Sequence, residues 1–109
     1  SNNDYITSNF INGTMPQSIS LNQNYPNPFN PSTTIGVELE NPDNIQLIIY
    51  DINGREVKKL ANGYFSGGIH EFTWNSTDEY GTRVSSGLYI YRLITPDNNI
   101  VTKKMLLLK

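Results

Sequence analysis

Apolar residues in this chain recur at every second position, in short runs separated by turn residues. That period belongs to half-buried β-strands and not to helices. Ile35, Val37 and Leu39 fall on one face of such a run, with Thr34, Gly36 and Glu38 on the other. Ile45, Leu47 and Ile49 alternate with Gln46, Ile48 and Tyr50, giving a run apolar on both faces and therefore central in a sheet. His70, Phe72 and Trp74 oppose Ile69, Glu71 and Thr73, and Tyr89, Tyr91 and Leu93 oppose Leu88, Ile90 and Arg92. The runs are punctuated by many of the chain's fifteen asparagines, residues that bond their own backbone and accept left-handed geometry.

The punctuation gives the connections. Asn41-Pro42-Asp43-Asn44 reads as a turn. Asn53-Gly54 predicts a type I′ hairpin, with Arg55–Leu60 returning and Val57 inward. Ala61–Gly68 reads as looser chain, 76–87 as a polar loop, and Asp97-Asn98-Asn99 as a tight turn before a last strand, Ile100–Leu108. Residues 18–31 hold prolines 26, 28 and 31, which predicts a stiff extended segment or edge strand with Tyr25 and Phe29 as anchors. Residues 1–17 are polar and aperiodic, and read as a linker or arm from a domain upstream.

About seven short strands with no helical period predict an all-β, antiparallel, immunoglobulin-like sandwich over residues 18–109. The chain has no cysteine, so no disulfide ties the sheets and packing alone must hold them. Trp74, Phe72, Tyr89 and Tyr91 are the expected centre, each large side chain contributing roughly 1.5–3 kcal/mol on burial.

The end of the chain is unusual. Met105-Leu106-Leu107-Leu108 is bracketed by Lys103, Lys104 and Lys109. Before Lys103 the sequence carries five basic and ten acidic side chains. A mildly acidic body argues against nucleic-acid binding, and four apolar residues are far short of the ~20 needed to span a bilayer. Alternation assigns Met105 and Leu107 to the fold. It leaves Lys103, Lys104, Leu106, Leu108 and Lys109 as candidates for recognition by a partner, with strand addition as one route.

Signals for other chemistry are weak. His70 is the only histidine and lies mid-strand, so no base stands beside a nucleophile. Asp78, Glu79 and Asp51 form no spaced acid pair, and Asp78 is better suited to shaping its own loop. No metal site, cofactor or enzymatic activity is expected. Asn12-Gly13-Thr14 and Asn75-Ser76-Thr77 match a glycosylation sequon. Tyr64, Phe65 and Tyr80 are candidates for a sugar platform, or simply cover the open ends of the sandwich.

Several segments taken together resemble the C-terminal sorting domains of type IX secretion cargo. Tyr25-Pro26-Asn27-Pro28-Phe29-Asn30-Pro31 is similar to that family's opening, and Tyr50-Asp51-Ile52-Asn53-Gly54-Arg55-Glu56-Val57 to its hairpin. Gly68 to Trp74, Gly81, and Ser86-Gly87-Leu88-Tyr89-Ile90-Tyr91-Arg92-Leu93 follow in order, and Lys103–Lys109 resembles its terminus. The Ig-like domain of the flagellar hook-capping protein shares much of the middle pattern. The resemblance implies a non-catalytic address label, exported through the periplasm of a Gram-negative bacterium to the cell surface or medium. It implies as partners a covalently linked upstream cargo, an outer-membrane translocon and a sortase-like cysteine peptidase, with cleavage somewhere within residues 1–20. The alternative is an Ig-like accessory module of a secreted enzyme, binding carbohydrate or spacing domains. A flagellar-type assembly domain is a third possibility.

Overall fold

The computed structural model describes residues 18–109. The expected arm over 1–17, the sequon at Asn12 and nearly all of the expected cleavage window lie outside the described residues. Seven strands follow in chain order: β1 (Ile19–Leu21), β2 (Thr33–Leu39), β3 (Asp43–Tyr50), β4 (Glu56–Phe65), β5 (Gly68–Trp74), β6 (Gly87–Ile94) and β7 (Ile100–Leu107). No helix occurs among the described residues. The strands form two antiparallel sheets, β1-β2-β5 and β4-β3-β6-β7. This is the immunoglobulin-like sandwich that the alternation predicts, with the fourth strand paired to the third rather than to the fifth.

The inner faces meet through the residues that alternation selects. Ile35, Val37 and Leu39 of β2 face Ile45, Leu47 and Ile49 of β3 and Tyr89, Tyr91 and Leu93 of β6, all buried. β3 is central and buried on both sides, since Ile48 on its outer face is also closed from solvent. Trp74, Tyr89 and Tyr91 lie in the core as expected, but Phe72 is only half-buried at its flank, against Phe65. The fourth central aromatic is instead Phe29, whose ring lies 5.8 Å from that of Trp74, while Trp74 meets Tyr89 edge-on at 5.2 Å.

β4 is longer than its sequence suggests, running through the supposedly loose Ala61–Phe65. Its register against β3 shifts between Leu47 and Ile48 and again between Ile49 and Tyr50. Leu60 and Val57 are the extra residues at these two bulges. Each bulge breaks the period of two, which hides the strand from a pattern reading.

The hairpin at Asn53-Gly54 also differs from expectation. Gly54 has φ +85°, but Asn53 does not have positive φ, so the turn is not type I′. Gly54 N–H donates to Asp51 C=O at 3.0 Å, and Asp51 N–H donates to Arg55 C=O at 2.9 Å. This is a three-residue loop with a left-handed glycine closing a bulge. The cause is Asp51, whose Oδ1 accepts the N–H groups of Asn53 and Arg55 at 2.9 and 3.0 Å and fixes the other turn.

The same ring recurs twice. Asp78 takes the N–H groups of Tyr80 and Thr82 on Oδ1, and Gly81 sits at φ +81°. At the β6–β7 connection Thr95 plays the part of the aspartate, its Oγ1 accepting the Asn99 N–H, and Asn98 takes the left-handed position at φ +64°. Asp78 therefore shapes its own loop, as its sequence context predicts.

The proline-rich segment does more than extend. Asn24 Nδ2 donates to Thr33 Oγ1 and to the Pro26 carbonyl, and Thr33 Oγ1 donates to that same carbonyl, so the strap is tied to the start of β2. Tyr91 Oη donates to the Asn22 carbonyl and accepts the Asn24 N–H, both at 2.8 Å. A core tyrosine of one sheet thus pins the segment that leaves the other. Burial pushes the Tyr91 phenol up, with the Asn24 amide acting in the opposite direction.

Candidate functional site

β7 is an edge strand of the four-stranded sheet, and its side chains divide by alternation. Met105 and Leu107 are buried in the core, opposite Tyr89 and Gly87 of β6. Leu106, paired with Leu88, is half-buried on the outer face, and Leu108 beyond the strand is half-exposed. Lys104 lies on the outer face and is exposed, whereas Lys103 shares the side of Met105 and is half-buried. The two adjacent lysines therefore point to opposite sides of the sheet, and Lys109, also exposed, follows the strand.

The backbone edge of β7 is covered in one half and open in the other. Phe29 N–H donates to Leu106 C=O and Leu108 N–H donates to Phe29 C=O, both at 3.0 Å. Asn27 Oδ1 accepts the Leu106 N–H at 3.0 Å, and Gln23 Nε2 donates to the Lys104 carbonyl at 2.7 Å. These contacts satisfy the outward backbone groups from Lys104 C=O to Leu108 N–H. Among the described residues no backbone hydrogen bond from outside the sheet reaches the Ile100–Thr102 part of the edge. Strand addition at Leu106–Leu108 is therefore closed while Phe29 is seated, and side chains are what this end offers to a partner. Sequence patterning singled out Phe29 only as an anchor, and missed Gln23 and Asn27 as partners of the tail.

The tail is joined to two other segments at this end of the sandwich. Lys109 N–H donates to Ser86 Oγ at 3.1 Å. A groove of about 400 Å³ runs between the β3–β4 turn and the loop before β6, with Ile52, Arg55, Val84, Ser86 and Leu88 along it. Ile52, Leu88 and Leu108 are three of the large apolar side chains exposed on this domain. Arg55 is paired with Asp51 at 3.1 Å but its side chain is 79 % exposed. The Arg55 backbone amide is the largest influence and holds the Asp51 carboxyl below the ordinary carboxylate value; desolvation opposes it, and the Asn53 amide and the Arg55 guanidinium add smaller downward effects. Leu88, which lines this groove with Ile52 and Arg55, is the cross-strand partner of Leu106, and the Lys109 backbone bonds Ser86 of the same groove.

The remaining candidates are dispersed. Tyr25 is exposed, the Pro26 carbonyl ties the strap to Asn24 and Thr33, Pro28 is exposed, and Gly54 and Gly87 occupy positive-φ positions where a side chain is strained. His70 Nε2 bonds the Ser66 carbonyl at 2.8 Å, and its ring packs on Phe65. Tyr64 stands out to solvent on β4 and Tyr80 on the loop after β5, while Phe65 packs against the core, so these three do not form one platform. Among the described residues no three His, Cys, Asp or Glu side chains are grouped to hold a metal ion. No helix among them is long and apolar enough to cross a membrane.

Residues 13–95 match the model of the FlgD Ig-like domain, a match that ends before β7. The basal-body rod modification protein FlgD of Salmonella typhimurium is 41% identical over 59 residues, covering 53% of this chain and 25% of that protein. The Escherichia coli protein of the same name is 36% identical over 59 residues. The chain thus spans about a quarter of the length of these curated relatives. Among solved structures, dimeric latent PorU of Porphyromonas gingivalis superposes with a TM-score of 0.73 at 26% identity, over 88% of this chain and 10% of that one. PorZ, an essential surface component of the type-IX secretion system of the same organism, gives 0.55 at 21%, over 94% of this chain and 12% of that one. FlgD of Xanthomonas campestris gives 0.56 at 21%, over 83% of this chain and 65% of that one. These likenesses agree with the sandwich and with its alternating core, and the matched residues make the chain a member of the FlgD Ig-like domain family.

Proposed function

We propose that this domain is a non-catalytic sorting signal, which directs a covalently linked upstream protein through the type IX secretion system to the cell surface or medium. The carrying observation is the division of the tail. Met105 and Leu107 complete the core, while Lys104, Leu108 and Lys109 are exposed and Leu106 is half-buried on the outer face beside Leu88. A strand needed only for folding would present polar residues on its outer face. The likeness to PorU over most of the chain, and the fold shared with the type-IX component PorZ, support the same reading. In this reading the partners are an outer-membrane translocon and a sortase-like peptidase, and the domain itself performs no chemistry.

The test is export of a reporter fused ahead of the full chain in a bacterium possessing the system. Removing the tail outright would also remove core residues, so exposed positions are changed instead. Leu108→Asp with Lys104→Glu and Lys109→Glu is expected to leave thermal stability near that of the parent and to abolish export. Undiminished export by this stable variant would defeat the proposal.

A second reading is favoured by the family match itself, which covers residues 13–95 and ends before the tail. It is an assembly domain of hook-capping type. Under it, the tail substitutions would leave secretion untouched.

A further inference from the structure

At the opposite end of the four-stranded sheet, where β3 begins and β6 ends, lies a groove of about 230 Å³. Cross-strand register builds it. Tyr64 stands opposite Asn44, and Gln46 lies between Asn62 of β4 and Ile94 of β6. Ile94 and Pro96 supply an apolar wall, and the amide residues Asn44, Gln46 and Asn62 line the groove together with Ile45, Gly63 and Thr95. No Asp, Glu, Lys, Arg or His lines the groove. The one hydrogen bond between these amides is long, Gln46 Nε2 to Asn62 Oδ1 at 3.4 Å. Asn62 Nδ2, Gln46 Oε1 and the Asn44 side-chain amide therefore keep their donors and acceptors for a ligand. Tyr64, 70% exposed, rises beside them in the same strand row.

We infer that this groove binds a neutral carbohydrate, as a single ring or a short stretch of a polysaccharide. A sugar hydroxyl both donates and accepts, as an amide does, so three adjacent amides match neighbouring hydroxyls without a charged group. The C–H face of a sugar ring is apolar, which suits Ile94, Pro96 and the Tyr64 ring. Other ligand classes fit less well. Phosphates and carboxylates need cations, and metal ions need carboxylates or imidazoles, none of which line this groove. Its volume is below the ~300–1,000 Å³ of sites for drug-sized molecules, and a lipid chain would leave its three side-chain amides without partners. The groove involves none of the tail residues, and its test is independent of the export reading.

The experiment is a titration of the ¹⁵N-labelled full chain with cellohexaose, maltohexaose and laminarihexaose, with hexagalacturonate as an anionic control. The expected result is a saturable shift of the Asn44, Gln46 and Asn62 side-chain NH₂ resonances with at least one neutral oligosaccharide, in the millimolar range. Asn62→Ala and Tyr64→Ala change exposed side chains. They are expected to weaken binding at least about tenfold, a difference of ~1.4 kcal/mol, with the rest of the spectrum unchanged. The inference is overturned if none of the three neutral oligosaccharides moves these resonances, if only hexagalacturonate does, or if the shifts persist undiminished in both variants.

Discussion

Phe29 runs parallel to Leu107, and its backbone brackets that residue through hydrogen bonds to Leu106 and Leu108, each 3.0 Å long. Its side chain meanwhile fills the core against Trp74. One residue thus plugs the sandwich and seals the free edge of its last strand.

Phe29→Ala is expected to cost about 3–5 kcal/mol, the range for removing a buried aromatic side chain. Urea denaturation measures the loss. Hydrogen exchange should show the Leu108 amide, which donates to Phe29, losing protection before the amides of the central strand β3.

Leu107→Asp and Leu108→Asp are expected to separate sharply. The first places a carboxylate in a fully buried site and should cost more than about 3 kcal/mol. The second changes a half-exposed side chain and should stay within about 0.5 kcal/mol. Equal thermal shifts in the two proteins would remove the distinction on which the recognition surface rests.

Tyr91→Phe leaves the Asn22 carbonyl and the Asn24 N–H without their partner. An expected loss of about 1–3 kcal/mol follows from stranding buried polar groups. Calorimetric unfolding checks it. A change near zero would mean that water replaces the hydroxyl.

The Asp51 carboxyl has a lowered pKa in the folded state, chiefly through the Arg55 amide. Its contribution to stability is therefore complete above the pKa of the unfolded chain and disappears as pH falls through the lower folded value. Asp51→Asn removes that dependence. The denaturation midpoints of parent and variant should differ at neutral pH and draw together in acid. A constant gap across the acidic range would refute the role of the charge.

Much of the architecture was legible because β2, β3, β5, β6 and β7 run without a bulged residue, so the period of two holds along their length. β4 was not, because the bulges at Val57 and Leu60 shift the phase of its side chains twice. The hairpin turn was misread for a different reason. Asn53-Gly54 carries the type I′ signal, but Asp51 bonds two amides and selects another geometry. The place of Phe29 could not be read locally at all. Its partners lie near the other end of the chain, and the proline-rich segment has no period that would name them. At the tail, alternation separated Met105 and Leu107 from Leu106 and Leu108. Only the fold reveals that Leu106 pairs with Leu88, which lines one groove with Ile52 and Arg55.

The seal between Phe29 and Leu106–Leu108 closes a loop of nearly the whole domain. Contacts of such sequence separation form late and slowly. Without Leu106–Leu108 the Phe29 backbone loses both of its hydrogen-bond partners, while its ring keeps Trp74. The native edge of β7 therefore depends on the strap that precedes β2, and each half of the seal is incomplete without the other.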